Sequence, residues 1–348
     1  FTRNVVHDVV GHEVKAVREG VGLMDISAFT KVEVIGPDAE ALLDRLVANR
    51  LPQRVGGIAL THFLNRRGRI EIEATVVRLD DNRFYIVCAV FFEQRLVDHL
   101  NHHIASEDVT VNVLSESWAA LALQGPKSRQ VLGATTDAAL DNSAFRWLSA
   151  QSIDIAGVPV WALRISYAGE LGWELHGPAE QMLSVYDALW RAGEPHGITD
   201  YGSFAMNVMR MEKMFKGAGE LTNEVTLPEA DVMRFVQLDK GDFLGKSQTE
   251  ESAASTLPWI CTYLRIEADG VVDGHGGEAV LQEGRVVGST ASVAYGHTVG
   301  CILAFAYLKP HAAKPGTALE VIIAGSTRQA CVLGEAAYDP LNLLPRAE

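Results

Sequence analysis

The chain has 348 residues, 48% of them hydrophobic, and a formal net charge of −14. That length buries a large core and divides into two or three domains, while the acidic balance opposes binding to nucleic acid or to an anionic membrane surface. No apolar run is long enough to cross a bilayer, and the N-terminal Phe1-Thr2-Arg3-Asn4 does not read as a signal peptide.

Val10, Val14, Val17 and Val21 fall at helical spacing and predict a helix over 7–20, closed by Gly20 and Gly22. A strand at 32–35 ends in Gly36-Pro37-Asp38 and releases into a helix with Ala39, Leu42, Leu43 and Leu46 on one face. After a loop over 50–57, segments 58–64 and 70–79 make a hairpin around the basic turn Arg66-Arg67-Gly68-Arg69. In its second arm Glu71, Glu73 and Thr75 alternate with Ile70, Ile72, Ala74 and Val76, so both carboxylates leave the strand on one polar face. A strand at 84–89 and a helix at 91–103 complete the unit.

The order then recurs. A strand at 119–124 ends in Gly125-Pro126, a helix carries Val131 and Leu132, segments 158–167 and 172–176 form a second hairpin, and 181–191 is helical. The two Gly-Pro corners lie about 89 residues apart, and with the matching order of elements they indicate an internal duplication of a split β-α-β unit. A helix over 204–215 leads into a long irregular loop over 217–230, the kind of segment that carries function in compact proteins. A Ser/Thr/Glu-rich connector over 247–257 precedes six short segments (261–266, 278–282, 285–292, 301–308, 318–323 and 329–333) that predict a small all-β domain of barrel or jelly-roll type. The fold class expected is α+β, with a duplicated core in domains 1–118 and 119–246 and an all-β domain at 258–348. Cys88, Cys261, Cys301 and Cys331 are scattered and read as buried thiols of a reducing compartment. They and the eleven histidines show no ligand spacing, so no metal site is expected. Gly217-Ala218-Gly219 follows a helix rather than a strand, which makes it a poor dinucleotide site.

Three motifs in the same order resemble those of the glycine-cleavage T-protein (aminomethyltransferase) family. Leu64, Asn65, Gly68 and Glu73 fall on the positions of its Leu-Asn-x-x-Gly-Gly turn and the acidic residue that follows. Ser166-Tyr167-Ala168-Gly169-Glu170-Leu171-Gly172-Trp173-Glu174 is similar to the family's Gly-Tyr-Thr-Gly-Glu-x-Gly-x-Glu, and Arg210-Met211-Glu212 to its helical Arg-Leu-Glu. The likeness covers essentially the whole chain. It is closer to the C-terminal folate module of dimethylglycine and sarcosine dehydrogenases and oxidases, through residues 16–23, the Gly36 corner, Leu238-Asp239-Lys240-Gly241 and Tyr338-Asp339-Pro340.

The resemblance implies a cloverleaf fold that binds tetrahydrofolate, with no flavin site in this chain. It makes Glu174 the pterin-binding residue, since the 2-amino and N3–H groups of a pterin are donors that a carboxylate in a dry pocket can accept. It makes Glu73 catalytic, at a position where T-proteins carry Asp, with Glu71 on the same face sharing the task of taking a proton or stabilising a cationic iminium. Tyr167, Asn65 and Arg210 complete the implied cofactor-binding set, with Tyr167 either packed on the pterin face or a core aromatic, and the basic turn either attracts the anionic glutamate tail of folate or is a solvated hairpin tip. Met206 and Ala89 stand where T-proteins have Arg and Asn, which points away from a glycine-cleavage T-protein proper. The function implied is transfer of a one-carbon unit from an N-methylated small amine, of the dimethylglycine or sarcosine kind, to give 5,10-methylene-tetrahydrofolate. The partner implied is a flavoprotein subunit or domain, in the cytoplasm or, in a eukaryote, the mitochondrial matrix. The alternatives are a stand-alone folate-dependent O- or S-demethylase and a non-catalytic folate-binding regulatory subunit.

Overall fold

The computed structural model describes residues 3, 5–270 and 272–348; Phe1, Thr2 and Asn4 of the terminal stretch lie outside the described residues. The chain opens with α1 (Val6–Glu19), which buries Val10, Val14 and Val17 as its spacing predicts, and β1 (Gly22–Asp25). The first repeat follows as β2 (Thr30–Ile35), α2 (Ala39–Leu46), β3 (Ile58–Leu64), β4 (Ile70–Asp80), β5 (Arg83–Cys88), α3 (Glu93–His103) and β6 (Thr110–Val113). The second runs β7 (Trp118–Gln124), α4 (Ser128–Gly133), β8 (Ala150–Ile155), β9 (Val158–Leu163), β10 (Gly172–Pro178) and α5 (Met182–Gly193), and closes with β11 (Thr199–Asp200) and α6 (Ser203–Glu212).

The duplication is visible in strand order. The first sheet reads β3-β4-β5-β2-β6, and the second, from its matching edge, reads β8-β9-β10-β7-β1-β11. The strand before each Gly-Pro corner thus holds the same place in its sheet. Both corners need glycine: Gly36 and Gly125 have φ of +146° and +128°, and a Cβ would sit 2.1 Å from the Asp108 carbonyl oxygen and 2.5 Å from that of Gly20.

One expectation is corrected here. The 1–118 boundary puts α1 and β1 with the first repeat, whereas β1 pairs with β7 over Gly22↔Gln124 to Asp25↔Leu121 and with β11, inside the second sheet. The corresponding edge of the first sheet is already filled by β6, and Leu23 joins the second core. Most of the Ser/Thr/Glu-rich connector lies in a short helix, α7 (Lys246–Ala254). Its mostly polar sequence carries no apolar stripe for periodicity to find.

Each sheet has one helical and one inner face. α2 and α3 cover Ile72, Ala74 and Val76 of the first sheet, while α4 and α5 cover Leu123, Trp173 and Leu175 of the second. The inner faces meet through Val77, Leu79, Tyr85 and Val87 on one side and Ala150 and Leu163 on the other. Backbone bonds from Ile58 to Leu148 (3.2 Å) and from Ala150 to Gly56 (2.7 Å) join the two sheets near the start of β3 and β8. The all-β segment is a closed barrel rather than a jelly roll, formed by β12 (Ile260–Ile266), β13 (Ala279–Gln282), β14 (Arg285–Gly296), β15 (Cys301–Leu308), β16 (Ala318–Ile323) and β17 (Ser326–Leu333).

A buried ion cluster ties α1, the second repeat, α6, the barrel and the C-terminal segment together. Arg18 reaches Glu170 at 2.9 Å and Glu212 at 2.8 Å and stacks over the Tyr338 ring at 4.1 Å. Tyr338 donates to Glu170, Thr298 of the barrel donates through both its amide and its hydroxyl to Glu212, and Lys213 pairs with Asp339 at 2.7 Å. Several of the motif residues that carry the family likeness therefore act as an interdomain clamp.

Candidate active site

β4 obeys its sequence period: Ile70, Ile72 and Ala74 are buried in turn while Glu71, Glu73 and Thr75 are half-buried between them. The alternation continues into Val77 and Leu79, which pack against the second sheet, so Glu71 and Glu73 stand on the inner face. On β10, Trp173 and Leu175 point into the helical core, which leaves Glu174 on the inner face between its strand neighbours Ala122 and Leu163. The side chains of Glu73, Glu71 and Glu174 are 24%, 19% and 15% exposed. They are neither solvated as on an outer strand face nor sealed in a core.

The two strand glutamates are not equivalent. Asn65 accepts from the backbone amides of Arg67 and Arg69 and donates to Glu71 at 2.8 Å, while Arg95 approaches the other Glu71 oxygen at 3.7 Å. Asn65 thus shapes the hairpin turn and holds Glu71 in place. Glu73 instead faces His62, its direct cross-strand partner on β3, with Nε2 3.4 Å from Oε1.

Around this end of β4 lies the long loop. Ile70 donates to the Val225 carbonyl at 3.0 Å, and Leu221, Leu227, Ala230 and Val232 pack with Leu64 and Ile70. Arg210 anchors the loop from below: it bonds Glu220 at 2.9 Å, the Phe215 carbonyl at 3.1 Å and Asn207 at 2.9 Å. Its charge is met within the protein, so it shapes the loop rather than waiting for a ligand. Tyr167 lies parallel to Phe215, with centroids 6.1 Å apart, and donates to the Lys216 carbonyl. Burial pushes its hydroxyl pKa up, with Arg210 pulling down and the charges of Glu73 and Glu220 adding to the rise.

Glu174 is backed by a relay that crosses between the sheets. His176, wholly buried and two residues along the same face, sets Nε2 3.3 Å from Glu174 and Nδ1 3.0 Å from the Tyr85 hydroxyl on β5 of the first sheet. Burial above all, then Glu174 and Glu33, holds the Tyr85 hydroxyl well above its ordinary pKa, so it stays protonated. Nearby, Tyr201 donates to Gln124 Oε1 at 3.0 Å, while the Gln124 amide nitrogen is buried with no hydrogen-bond partner among the described residues. His62, His176, Tyr85 and Gln124 were not anticipated from the sequence. The two histidines were within reach: His176 shares the face of Glu174 by the period of two, and the hairpin register sets His62 opposite Glu73.

An open groove of about 640 Å³ lies elsewhere, between α2, the hairpin tip and α7, lined by residues such as Arg45, Arg66, Asp242 and Lys246. It contains neither Glu73 nor Glu174. A half-buried carboxylate beside an imidazole can hold or pass a proton, whereas the groove offers mixed charge on an open surface.

The chain is 34% identical over 340 residues to mouse mitochondrial dimethylglycine dehydrogenase, a match that covers 96% of this chain but 39% of the relative. It is 33% identical over 308 residues to aminomethyltransferase of Streptomyces coelicolor, covering 87% of this chain and 82% of that one. The structure superposes on the glycine cleavage system aminomethyltransferase T of Bartonella henselae with a TM-score of 0.86 over 95% of this chain and 90% of that one, at 21% identity, a likeness of fold. Residues 1–240 match the GCVT N-terminal domain and residues 261–339 the glycine cleavage T-protein C-terminal barrel domain. With both domains matched in order across the duplicated core and the closed barrel, the chain belongs to the glycine-cleavage T-protein (aminomethyltransferase) family.

Proposed function

We propose that this chain is a tetrahydrofolate-dependent one-carbon transferase that acts in the demethylation of an N-methylated small amine and yields 5,10-methylene-tetrahydrofolate. The observation that supports it is the pair of half-buried carboxylates, Glu73 and Glu174, on the facing surfaces of the duplicated sheets. The chain spans about two fifths of the dimethylglycine dehydrogenases it matches, so the step that oxidises the amine is assigned to a flavoprotein subunit or domain beyond these residues.

The residues fit a reduced pterin. Glu174, oriented by the His176–Tyr85 relay, presents acceptors to a pair of N–H donors, and a charge-assisted pair of that kind fixes a flat ring in one orientation. The unpartnered Gln124 amide is a buried donor in want of an acceptor. Tetrahydrofolate, when bound, supplies the nucleophilic nitrogens. Glu73 receives protons those nitrogens lose and stabilises positive charge on the incoming one-carbon unit. Glu71, fixed by Asn65 and Arg95, keeps the local field negative, and Tyr167 and the loop it supports limit water. The relatives named as amine dehydrogenases favour the N-methyl reading over O- or S-demethylation.

The test is titration of tetrahydrofolate into the protein and into Glu174→Gln, with product formation measured from an iminium or formaldehyde donor. Weakening of binding by about tenfold or more on removal of the charge supports the reading, and equal binding by both proteins overturns it.

A further inference from the structure

His62 is wholly buried, and among the described residues neither ring nitrogen has a hydrogen-bond partner. A buried polar group left in that state calls for an explanation, and its surroundings narrow the choice. Hairpin register fixes it directly opposite Glu73, the backbone is pinned where the Ala48 amide donates to the His62 carbonyl at 3.0 Å, and the ring centroid lies 6.2 Å from that of Phe235. The Glu73 carboxylate, 3.4 Å from Nε2, is the charged group these contacts set beside it. The contrast with His176 is informative. That ring also backs a cleft carboxylate, yet its far nitrogen is held by Tyr85, whereas the far nitrogen of His62 is held by nothing.

We propose that His62 is the positioning residue for Glu73, an inference that rests on the reading of Glu73 as the reacting carboxylate. A glutamate on a strand has three side-chain torsions, and Glu73 has no tether of the kind Asn65 and Arg95 give Glu71. His62 with a proton on Nε2 supplies one: a short closing movement makes Nε2–H a donor to Oε1 and orients the carboxylate. Glu71, on the same strand face, is already bound by Asn65 and Arg95, and the Tyr167 hydroxyl is committed to the Lys216 carbonyl. Because the ring lies beneath the carboxylate and not in the cleft, its contribution is to orientation rather than to folate affinity.

The test combines kinetics with a spectroscopic readout that needs no turnover. His62→Met keeps the volume and removes the donor; kcat is expected to fall about tenfold to a hundredfold with KM for tetrahydrofolate little changed. His62→Gln, whose amide nitrogen reaches the place of Nε2, is expected to restore most of the loss. Nitrogen-15 histidine spectra of the unliganded protein are expected to show His62 as the Nε2–H tautomer, with that signature altered in Glu73→Gln. Failure of the wild-type protein to transfer a one-carbon unit refutes the functional reading alone, since the spectra still report on the His62–Glu73 contact. Ring signals indifferent to Glu73→Gln, or equal kcat for His62→Met and wild type, overturn the proposal.

Discussion

Replacement of Arg18 by Met probes the clamp that holds the domains together. The guanidinium is 5% exposed and its partners Glu170 and Glu212 are 2% and 0% exposed. Besides those two carboxylates it donates to the carbonyls of Ala168 at 2.7 Å and Met209 at 3.3 Å. Methionine fills most of the aliphatic volume, so the cost comes from the stranded carboxylates rather than from a cavity. Glu212 keeps both Thr298 donors, but Glu170 keeps the Tyr338 hydroxyl alone. Breaking a buried pair by removing one partner costs about 3–5 kcal/mol. Urea unfolding should show that loss near pH 8, at unchanged slope. Burial already raises the Glu170 pKa against the opposing pull of Arg18; without Arg18 it rises further. A carboxylate whose folded pKa lies above its unfolded one is favourable at low pH and loses that contribution as pH climbs through the folded value. The deficit of the variant should therefore be smaller near pH 5 than near pH 8, and Glu170→Gln added to Arg18→Met should recover part of it. A loss below about 1 kcal/mol, or one that does not vary with pH, refutes the reasoning.

Burial first, then the neighbouring His103 and His102, lowers the His99 pKa to about 4, and burial followed by His7 and Arg3 does the same to His297. The unfolded chain binds protons at both near 6.5, so stability should be complete above that pH and decline toward about 4, seen as a falling thermal midpoint that flattens when His99 is replaced by Gln. Gly125→Ala should destabilise by about 2 kcal/mol or more, because a methyl would meet the Gly20 carbonyl at 2.5 Å and the backbone sits at φ +128°; chemical denaturation measures it, and a change under about 0.5 kcal/mol contradicts the close approach. Tyr85→Phe removes the hydroxyl on His176 and should cost about 1–3 kcal/mol while also weakening tetrahydrofolate binding. A calorimetric titration in which binding is untouched would show that the relay does not orient Glu174.

Much of the fold was legible because its signals are local. The period of two in β4 placed Glu71 and Glu73 on one face, and the repeated Gly-Pro corners announced two copies of one unit. What escaped was set by long-range pairing. β1 is four residues long and finds its partner about a hundred residues later, and no local pattern distinguishes it from a loop; β8, by contrast, was within reach, since Ile153 and Ile155 alternate with Ser152 and Asp154 and a two-residue turn joins it to β9. At the site, Glu73 and Glu174 each stand on the inner face of their own sheet, but the same motifs that named them also contain Glu170, Glu212 and Arg210, whose partners lie within the protein. A motif reports that a residue is constrained. Whether the constraint is a ligand or a neighbouring ion pair is decided only when residues far apart in sequence, such as Arg18 and Glu170, come together.

The placement of β1 also bears on how the molecule is made. During synthesis, residues 22–25 emerge before the whole first repeat, yet their hydrogen-bonding neighbours at 121–124 and 199–200 follow much later. The first repeat is thus an excursion within the second and can fold while the second still lacks its strands. Cutting the gene between the repeats would orphan a strand, whereas excising 26–117 and bridging the gap would keep the second sheet whole. Anything fused ahead of α1 would likewise be tethered to the second repeat and the barrel rather than to the hairpin that carries Glu73.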